Sequence, residues 1–339
     1  MKVFVTGASG LVGSHLVVAL LQDDEIEQIT CLYRSDKRKE RLEKVWQFYN
    51  PKQQDLPQNK IHWVKGNILD VSLLAEQVKG HDIVYHCTAM VSFQRKDFSK
   101  LMQINREGTA NMVNVALHHQ VKHFCYVSST AAIGNKDIPE HELINEKGIW
   151  VNSDKTSGYA LSKYSAEKEV WRGIEEGLNA VIVNPSVVIG AGNWSESSMV
   201  IFNSIKNGLK FYSPGANAFV DARDVAKIMV ELVKRKISKE RFLVVGHNLP
   251  FKVLFDEIAE QLDKPKPKYP VQKWLLGIAW RIAVFWSAIT FSSPVITKSS
   301  AQSAFNVKKF DNSKIKRLLG YEFHNIEDTI SNAIRGKLD

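Results

Sequence analysis

The segment Thr6-Gly7-Ala8-Ser9-Gly10-Leu11-Val12-Gly13 constrains this chain more than any other. It joins a β-rich run, Lys2–Thr6, to an apolar helical pattern over 13–22. Glycines at 7, 10 and 13 answer one physical demand there. The turn must be tight, the backbone must come close to a pyrophosphate, and the helix must pack closely on the strand. Backbone N–H groups at the helix start can then hold an anion. The spacing is not GxGxxG, so the strand–turn–helix setting carries the reading. Gly7, Ser9, Gly10, Leu11, Val12 and Gly13 are the candidate phosphate-binding residues.

The rest of the first half repeats the same rhythm. Short apolar runs at 29–33, 61–65, 82–86, 123–128, 180–184 and 241–245 read as buried strands. Amphipathic stretches such as 101–119 and 159–176 separate them. Alternating β and α means βαβ units, right-handed crossovers and a parallel sheet covered on both faces. The expected fold is α/β: a Rossmann-type doubly wound sheet with a smaller, mostly helical C-terminal substrate domain. The sheet domain takes 1–188 with 217–246, and the smaller domain takes 189–216 with 247–339. A helix over 251–262 and a capped one over 311–320 ending at Gly320 fall in the second unit.

Dinucleotide preference is read at the end of the second strand, where an acid would hold the ribose 2′-hydroxyl of NAD. Arg34 stands there, 21 residues past Gly13, followed by Lys37, Arg38 and Arg41. A guanidinium pairs with a 2′-phosphate through two parallel hydrogen bonds. NADP(H) is therefore favoured, with NAD(H) left open. Lys39, Arg41 and Lys44 read as a solvated helix face, since Glu40 and Glu43 intervene.

Tyr159-Ala160-Leu161-Ser162-Lys163 puts Tyr and Lys on one face of a helix. A tyrosine is a poor acid–base group near neutral pH, and a neighbouring ammonium favours its phenolate. The strand ending Val127-Ser128-Ser129-Thr130 brings hydroxyls to the sheet edge where ligands bind.

With TGASGLVG (6–13), GNILD (66–70), HCTA (86–89), NREGT (105–109), VSST (127–130), YALSK (159–163), NPSVVIG (184–190) and FVDARDVA (219–226) in this order, the chain resembles an extended short-chain dehydrogenase/reductase. The likeness covers most of residues 1–226. Residues 298–321 are similar to the branch holding dihydroflavonol-4-reductase-like and 3β-hydroxysteroid-dehydrogenase-like enzymes.

The resemblance implies that Tyr159 is the general acid and that Lys163 holds the nicotinamide ribose and lowers the tyrosine pKa. It implies that Thr130 hydrogen-bonds the substrate oxygen, with Ser129 as a rival. Asn67 and Ile68 would contact adenine, Thr88 and Ala89 would line the cofactor, and Pro185 and Val188 would lie beside nicotinamide. Asn105 would either support the site or pack its helix. Asp221, Arg223 and Asp224 read as a structural link between domains.

Departures from the family narrow the reaction. Dehydratases carry Asp-Glu after the catalytic hydroxyl residue; here Ala131-Ala132 follow. Epimerases tend to carry Arg where Asn217 stands and Pro where Gly158 stands. Trp194, Phe202, Phe211 and Tyr212 suggest an apolar pocket. The expected substrate is a small hydrophobic carbonyl or alcohol compound. A sugar-nucleotide epimerase with recycled NAD and a non-catalytic dinucleotide-binding sensor or assembly protein are the alternatives.

Charge bears on partners. The net charge is +9, and residues 262–339 hold 13 Lys/Arg against 6 Asp/Glu. That basic quarter surrounds 274–291, where 14 of 18 residues are hydrophobic and Arg281 is the one charge. The stretch is short for a membrane span, and a central Arg opposes insertion. It reads first as a helix capping the substrate pocket. Peripheral contact with an anionic membrane through 264–291 is the second reading, because basic residues precede an amphiphilic segment. No nucleic-acid motif accompanies the charge. Cys31, Cys87 and Cys125 have no metal-ligand spacing, so no metal is expected and the thiols read as reduced core residues. With no secretory leader pattern, the expected location is cytoplasmic. A homodimer is compatible with the sequence.

Overall fold

The computed structural model describes residues 1–53, 55–134, 138–139, 142–153, 156–272 and 305–338, apart from the side chains of Lys37 and Arg38. In chain order the first strands are β1 (Lys2–Thr6), β2 (Gln28–Tyr33), β3 (Ile61–Lys65), β4 (Ile83–His86), β5 (His123–Val127) and β6 (Ala180–Pro185). Then come β7 (Val187–Ile189), β8 (Gly192–Asn193), β9 (Phe211–Tyr212), β10 (Ala216–Asp221) and β11 (Glu240–Val244). The last are β12 (His247–Pro250), β13 (Tyr269–Pro270) and β14 (Lys337–Leu338). The helices are α1 (Leu11–Leu21), α2 (Asp36–Tyr49), α3 (Val71–Val78), α4 (Phe98–Leu101), α5 (Gly108–His118) and α6 (Gly158–Glu175). They continue as α7 (Val200–Lys206), α8 (Ala222–Lys234), α9 (Phe251–Gln261), α10 (Ser313–Leu319) and α11 (Ile326–Arg335).

Seven strands form one parallel sheet in the order β3-β2-β1-β4-β5-β6-β11. Successive side chains point to opposite faces, so each strand feeds two cores. Val3, Val5, Ile29 and Val183 pack toward residues of α1 and α8; Phe4, Phe124, Tyr126 and Ile182 pack toward those of α3, α5 and α6. Burial on both faces explains why these strands read as continuous apolar runs. The strand order reverses between β1 and β4, which opens a crevice at their carboxyl ends.

A separate core gathers Trp194, Phe202, Phe219, Leu254, Ile258 and Ile330. Its sheet has the order β12-β10-β7. Thus β10 pairs outside the large sheet, and within 217–246 it is β11 that rejoins it, with α8 packed on α1. The cause is local: the Phe219 side chain is fully buried in the second core. Trp194 and Phe202 are core residues too, with ring centroids 5.4 Å apart, so they are not available to line a pocket as expected.

Charged groups tie the two regions together. The Arg223 guanidinium lies 2.7 Å from both Asp221 and Asp328. Buried Asp224 accepts hydrogen bonds from Tyr321 and His324. Helix α10 stops at Gly320, whose φ of +64° is the left-handed cap that glycine permits. Cys31 and Cys125 are buried free thiols, and Cys87 is half-buried. Residues 274–291 lie outside the described residues, as do their pocket-capping and membrane readings. Among the described residues no helix is long and apolar enough to cross a membrane. Of the preceding lysines, Lys266 pairs with Glu260 at 2.7 Å.

Candidate active site

The site begins at the glycine turn. Gly7 has φ +71°, and a Cβ there would come within 2.7 Å of the Thr88 backbone nitrogen. A Cβ on Gly13 would sit 2.1 Å from the Gly7 carbonyl oxygen. Backbone packing therefore demands both glycines. The Gly10 N–H closes the turn on Gly7 O at 2.9 Å. Helix α1 starts at Leu11 with no side-chain cap and no acid in its first turn. Its first N–H groups remain donors for an anion, and the cradle fits a dinucleotide pyrophosphate. Ser9 is nearly buried, and Leu11 and Val12 are half-buried, around this turn.

At the adenosine end, Arg34 is exposed just past β2. The solvated reading fails for Arg41. Its guanidinium makes a two-pronged ion pair with Glu196, at 2.5 and 2.6 Å, beside Ser9 and Gly10 in a small cavity of about 70 Å³. Asn67 is exposed, and its side chain accepts from the Leu69 N–H. Ile68 is buried against Gly108, where a Cβ would meet it at 2.7 Å.

The other end of the crevice is built on β4, β5 and α6. Thr88 is half-buried and Ala89 exposed. The Thr88 N–H donates to Thr6 Oγ1 at 3.2 Å. Between α4 and α5 the helix widens into a π turn over Met102–Glu107. Asn105 in that turn is buried; its amide oxygen accepts from Met90 N at 2.7 Å, and its amide nitrogen donates to Met90 O and Ser162 Oγ, both at 2.9 Å. Asn105 thus fastens the loop after β4 to α6. Pro185 closes β6 and is buried, with half-buried Val188 on β7 and a buried Ser186 hydroxyl between them that has no hydrogen-bond partner among the described residues.

Helix α6 starts under a Ser157 cap, whose hydroxyl accepts from Ala160 N at 3.1 Å. One turn apart on it stand half-buried Tyr159 and fully buried Lys163. Burial raises the Tyr159 phenol above the ordinary tyrosine value, and Ser129 pulls it partly back. Lys163 donates to Val127 O at 2.6 Å and to Tyr126 Oη at 3.0 Å. Burial pushes the Lys163 pKa down to about 7, opposed by Glu167 one turn further along. Glu167 is itself buried and accepts from Ser128 (2.7 Å), Asn184 (2.8 Å) and Arg241 (3.0 Å).

The hydroxyl that faces Tyr159 is that of Ser129, the rival to Thr130. Ser129 is extended and caps the short 3-10 turn Thr130–Ala132 by accepting from Ala131 N at 3.1 Å. Thr130 is carried into that turn and makes no side-chain hydrogen bond among the described residues. Phe93 lies edge-on to Tyr159 with centroids 5.8 Å apart, and Phe98 packs against Gly158, where a Cβ would meet it at 3.1 Å. Both phenylalanines are partly exposed, at 46% and 43%. Residue reasoning missed this apolar wall, because a loop after β4 carries no periodicity. It also missed Glu167, although its i+4 spacing from Lys163 was a usable signal.

Residues 3–246 match the NAD dependent epimerase/dehydratase family. The chain is 28% identical to a putative dihydroflavonol 4-reductase of Synechocystis, over 98% of this chain and 93% of that protein. It is 25% identical to the NADPH-dependent methylglyoxal reductase GRE2 of Saccharomyces cerevisiae, over 97% and 96%. The crystal structure of gox2253 superposes with a TM-score of 0.79 at 25% identity, covering 98% of this chain and 96% of that one. With the glycine cradle, the seven-stranded sheet and the Tyr159–Lys163 helix in place, the chain belongs to the NAD dependent epimerase/dehydratase family.

Proposed function

We propose that this NAD(P)-dependent enzyme reduces a hydrophobic aldehyde or ketone to the alcohol with NADP(H), and runs in reverse as an alcohol dehydrogenase. The observation that carries the reading is Tyr159 with Ser129 at its hydroxyl, Lys163 buried one turn below, and Phe93 as an apolar wall. A bound nicotinamide supplies the hydride. Tyr159 gives its proton to the carbonyl oxygen, which Ser129 holds in place. Lys163 spends two of its three N–H groups on Val127 and Tyr126, leaving the third for the cofactor ribose. Its positive charge favours the phenolate that forms. Gly7, Ser9, Gly10, Leu11, Val12 and Gly13 hold the pyrophosphate. Asn67, Ile68, Thr88, Ala89, Pro185 and Val188 line the remainder of the groove.

NADP(H) is proposed because Arg34 is exposed at the second-strand edge. The full-length likeness to reductases, one NADPH-dependent, supports a reductive role. The test is NADPH oxidation with aldehydes and ketones of rising apolar size, run beside UDP-sugars. Reduction of apolar carbonyls is expected, with Tyr159→Phe lowering kcat about 10²–10⁴-fold while NADPH affinity stays near normal. Interconversion of UDP-sugars without net NADPH oxidation would overturn the reading.

A further inference from the structure

A row of polar side chains runs through the sheet beneath Lys163. Thr6, His86 and Tyr126 are in register across β1, β4 and β5. In-register residues of parallel strands share a face, and all three are fully buried on the side covered by α5 and α6. Thr109 on α5, also fully buried, joins them. The contacts are Thr6 Oγ1 to His86 Nδ1 at 2.7 Å and His86 Nε2 to Thr109 Oγ1 at 3.0 Å. The Tyr126 hydroxyl accepts from Lys163 at 3.0 Å, and Thr109 lies beside it.

Each hydroxyl has one proton, so the directions follow by counting. Thr109 donates to the Asn105 carbonyl at 2.5 Å, inside the π turn. It therefore accepts from His86. His86 carries its proton on Nε2, and its Nδ1 accepts from Thr6, whose oxygen accepts from the Thr88 N–H. One hydrogen-bonded chain runs from the backbone beside the glycine turn through Thr6 and His86 to Thr109, beside the Tyr126 hydroxyl that receives Lys163. Burial lowers the His86 pKa to about 3, so the imidazole is neutral and the polarity of the chain is fixed.

We infer that Tyr126 is a positioning residue that orients the Lys163 ammonium and stabilises its charged form. This rests on the reductase reading only for its consequence in turnover. In a dry interior a hydroxyl oxygen that accepts from the ammonium favours its charged form. The other groups facing Lys163 are His86 and Cys87 from β4, and Tyr159 and Glu167 from its own helix. Neutral His86 and the thiol of Cys87, raised to about 12 by burial, carry no charge near neutral pH. Glu167 is the remaining opposing charge.

The experiment uses cofactor-free full-length protein with isotope-labelled lysine, following the Lys163 titration by NMR. Tyr126→Phe keeps the ring, which lies 4.7 Å from the ammonium, and removes only the hydroxyl. The titration is expected to fall by about one pH unit. With a carbonyl/alcohol pair that turns over, the acid limb of kcat/KM for alcohol oxidation should move to higher pH in Tyr126→Phe. An unmoved Lys163 titration in folded Tyr126→Phe overturns the inference, whatever the substrate. Loss of the reductase reading alone would leave the NMR shift intact.

Discussion

The two ends of the cofactor groove are built on opposite principles. At the catalytic end, Lys163 and Glu167 are 1% and 2% exposed and are held by at least two partners each. At the Arg34 end, Arg34 and Asn67 are exposed, and the ion pair of Lys65 with Asp36 is on the surface. Buried charges are costly unless satisfied, so the chemical end must be completed by the fold itself. Exposed charges cost little and can await a ligand. The Tyr159–Lys163 end is thus fixed by the fold, whereas the Arg34 end is left open to solvent.

The largest effect should come from removing the buried charge. Lys163→Met is expected to lower turnover at least 10²-fold. It should also stabilise the cofactor-free protein by about 2 kcal/mol, because the site disfavours the ammonium it holds. The pH dependence gives the sign. Lys163 titrates at about 7 when folded and near 10.5 when unfolded, so between those values the unfolded chain binds more protons. Its cost is full below pH 7 and is relieved as pH rises toward 10.5. Denaturant unfolding across pH 7–10.5 should show a rise in wild-type stability that Lys163→Met lacks. A variant less stable than wild type at pH 7 would break the contrast between the two ends.

A smaller effect is expected at the open end. Arg34→Ala should weaken NADPH about tenfold and leave NADH nearly unchanged, measured by fluorescence titration. The difference should shrink at high salt, since the contact is exposed. Equal loss for both cofactors would remove the 2′-phosphate argument.

How much was legible follows the same division. The glycine turn, the seven strands and the Tyr159–Lys163 face were readable because backbone geometry and periodicity impose them. Gly320 was readable for the same reason, since the left-handed cap it supplies has few alternatives. That Ser129 rather than Thr130 lies toward Tyr159 was not, because it depends on where an extended strand residue gives way to a 3-10 turn, a one-residue matter. Phe93 was hidden because a loop residue's neighbours are set by tertiary packing. Trp194 and Phe202 misled for the complementary reason: aromatic content does not say whether a ring fills a core or faces a ligand. The role of β10 was hidden likewise, since an apolar strand fits either sheet until its partners are known.

The smallest expected effect concerns Arg41, a basic residue of α2 that the fold has already engaged. Its ion pair with Glu196 joins α2 to the loop after β8 at the lip of the glycine turn. The Arg41 side chain is 20% exposed but that of Glu196 is 46%, so solvent screens the pair and its contribution to stability should stay below about 1 kcal/mol. Its electrostatic consequence is larger than its energy. Glu196 neutralises a guanidinium that an anionic cofactor could otherwise use. Glu196→Gln keeps the shape of the side chain and frees that charge. Stability should therefore change little, while NADPH binds about two- to threefold tighter and NADH gains less, with the gain vanishing at high salt. Weaker NADPH binding in Glu196→Gln would mean that the ion pair holds the turn's lip in its binding form, and that the open end is more preorganised than its exposure suggests.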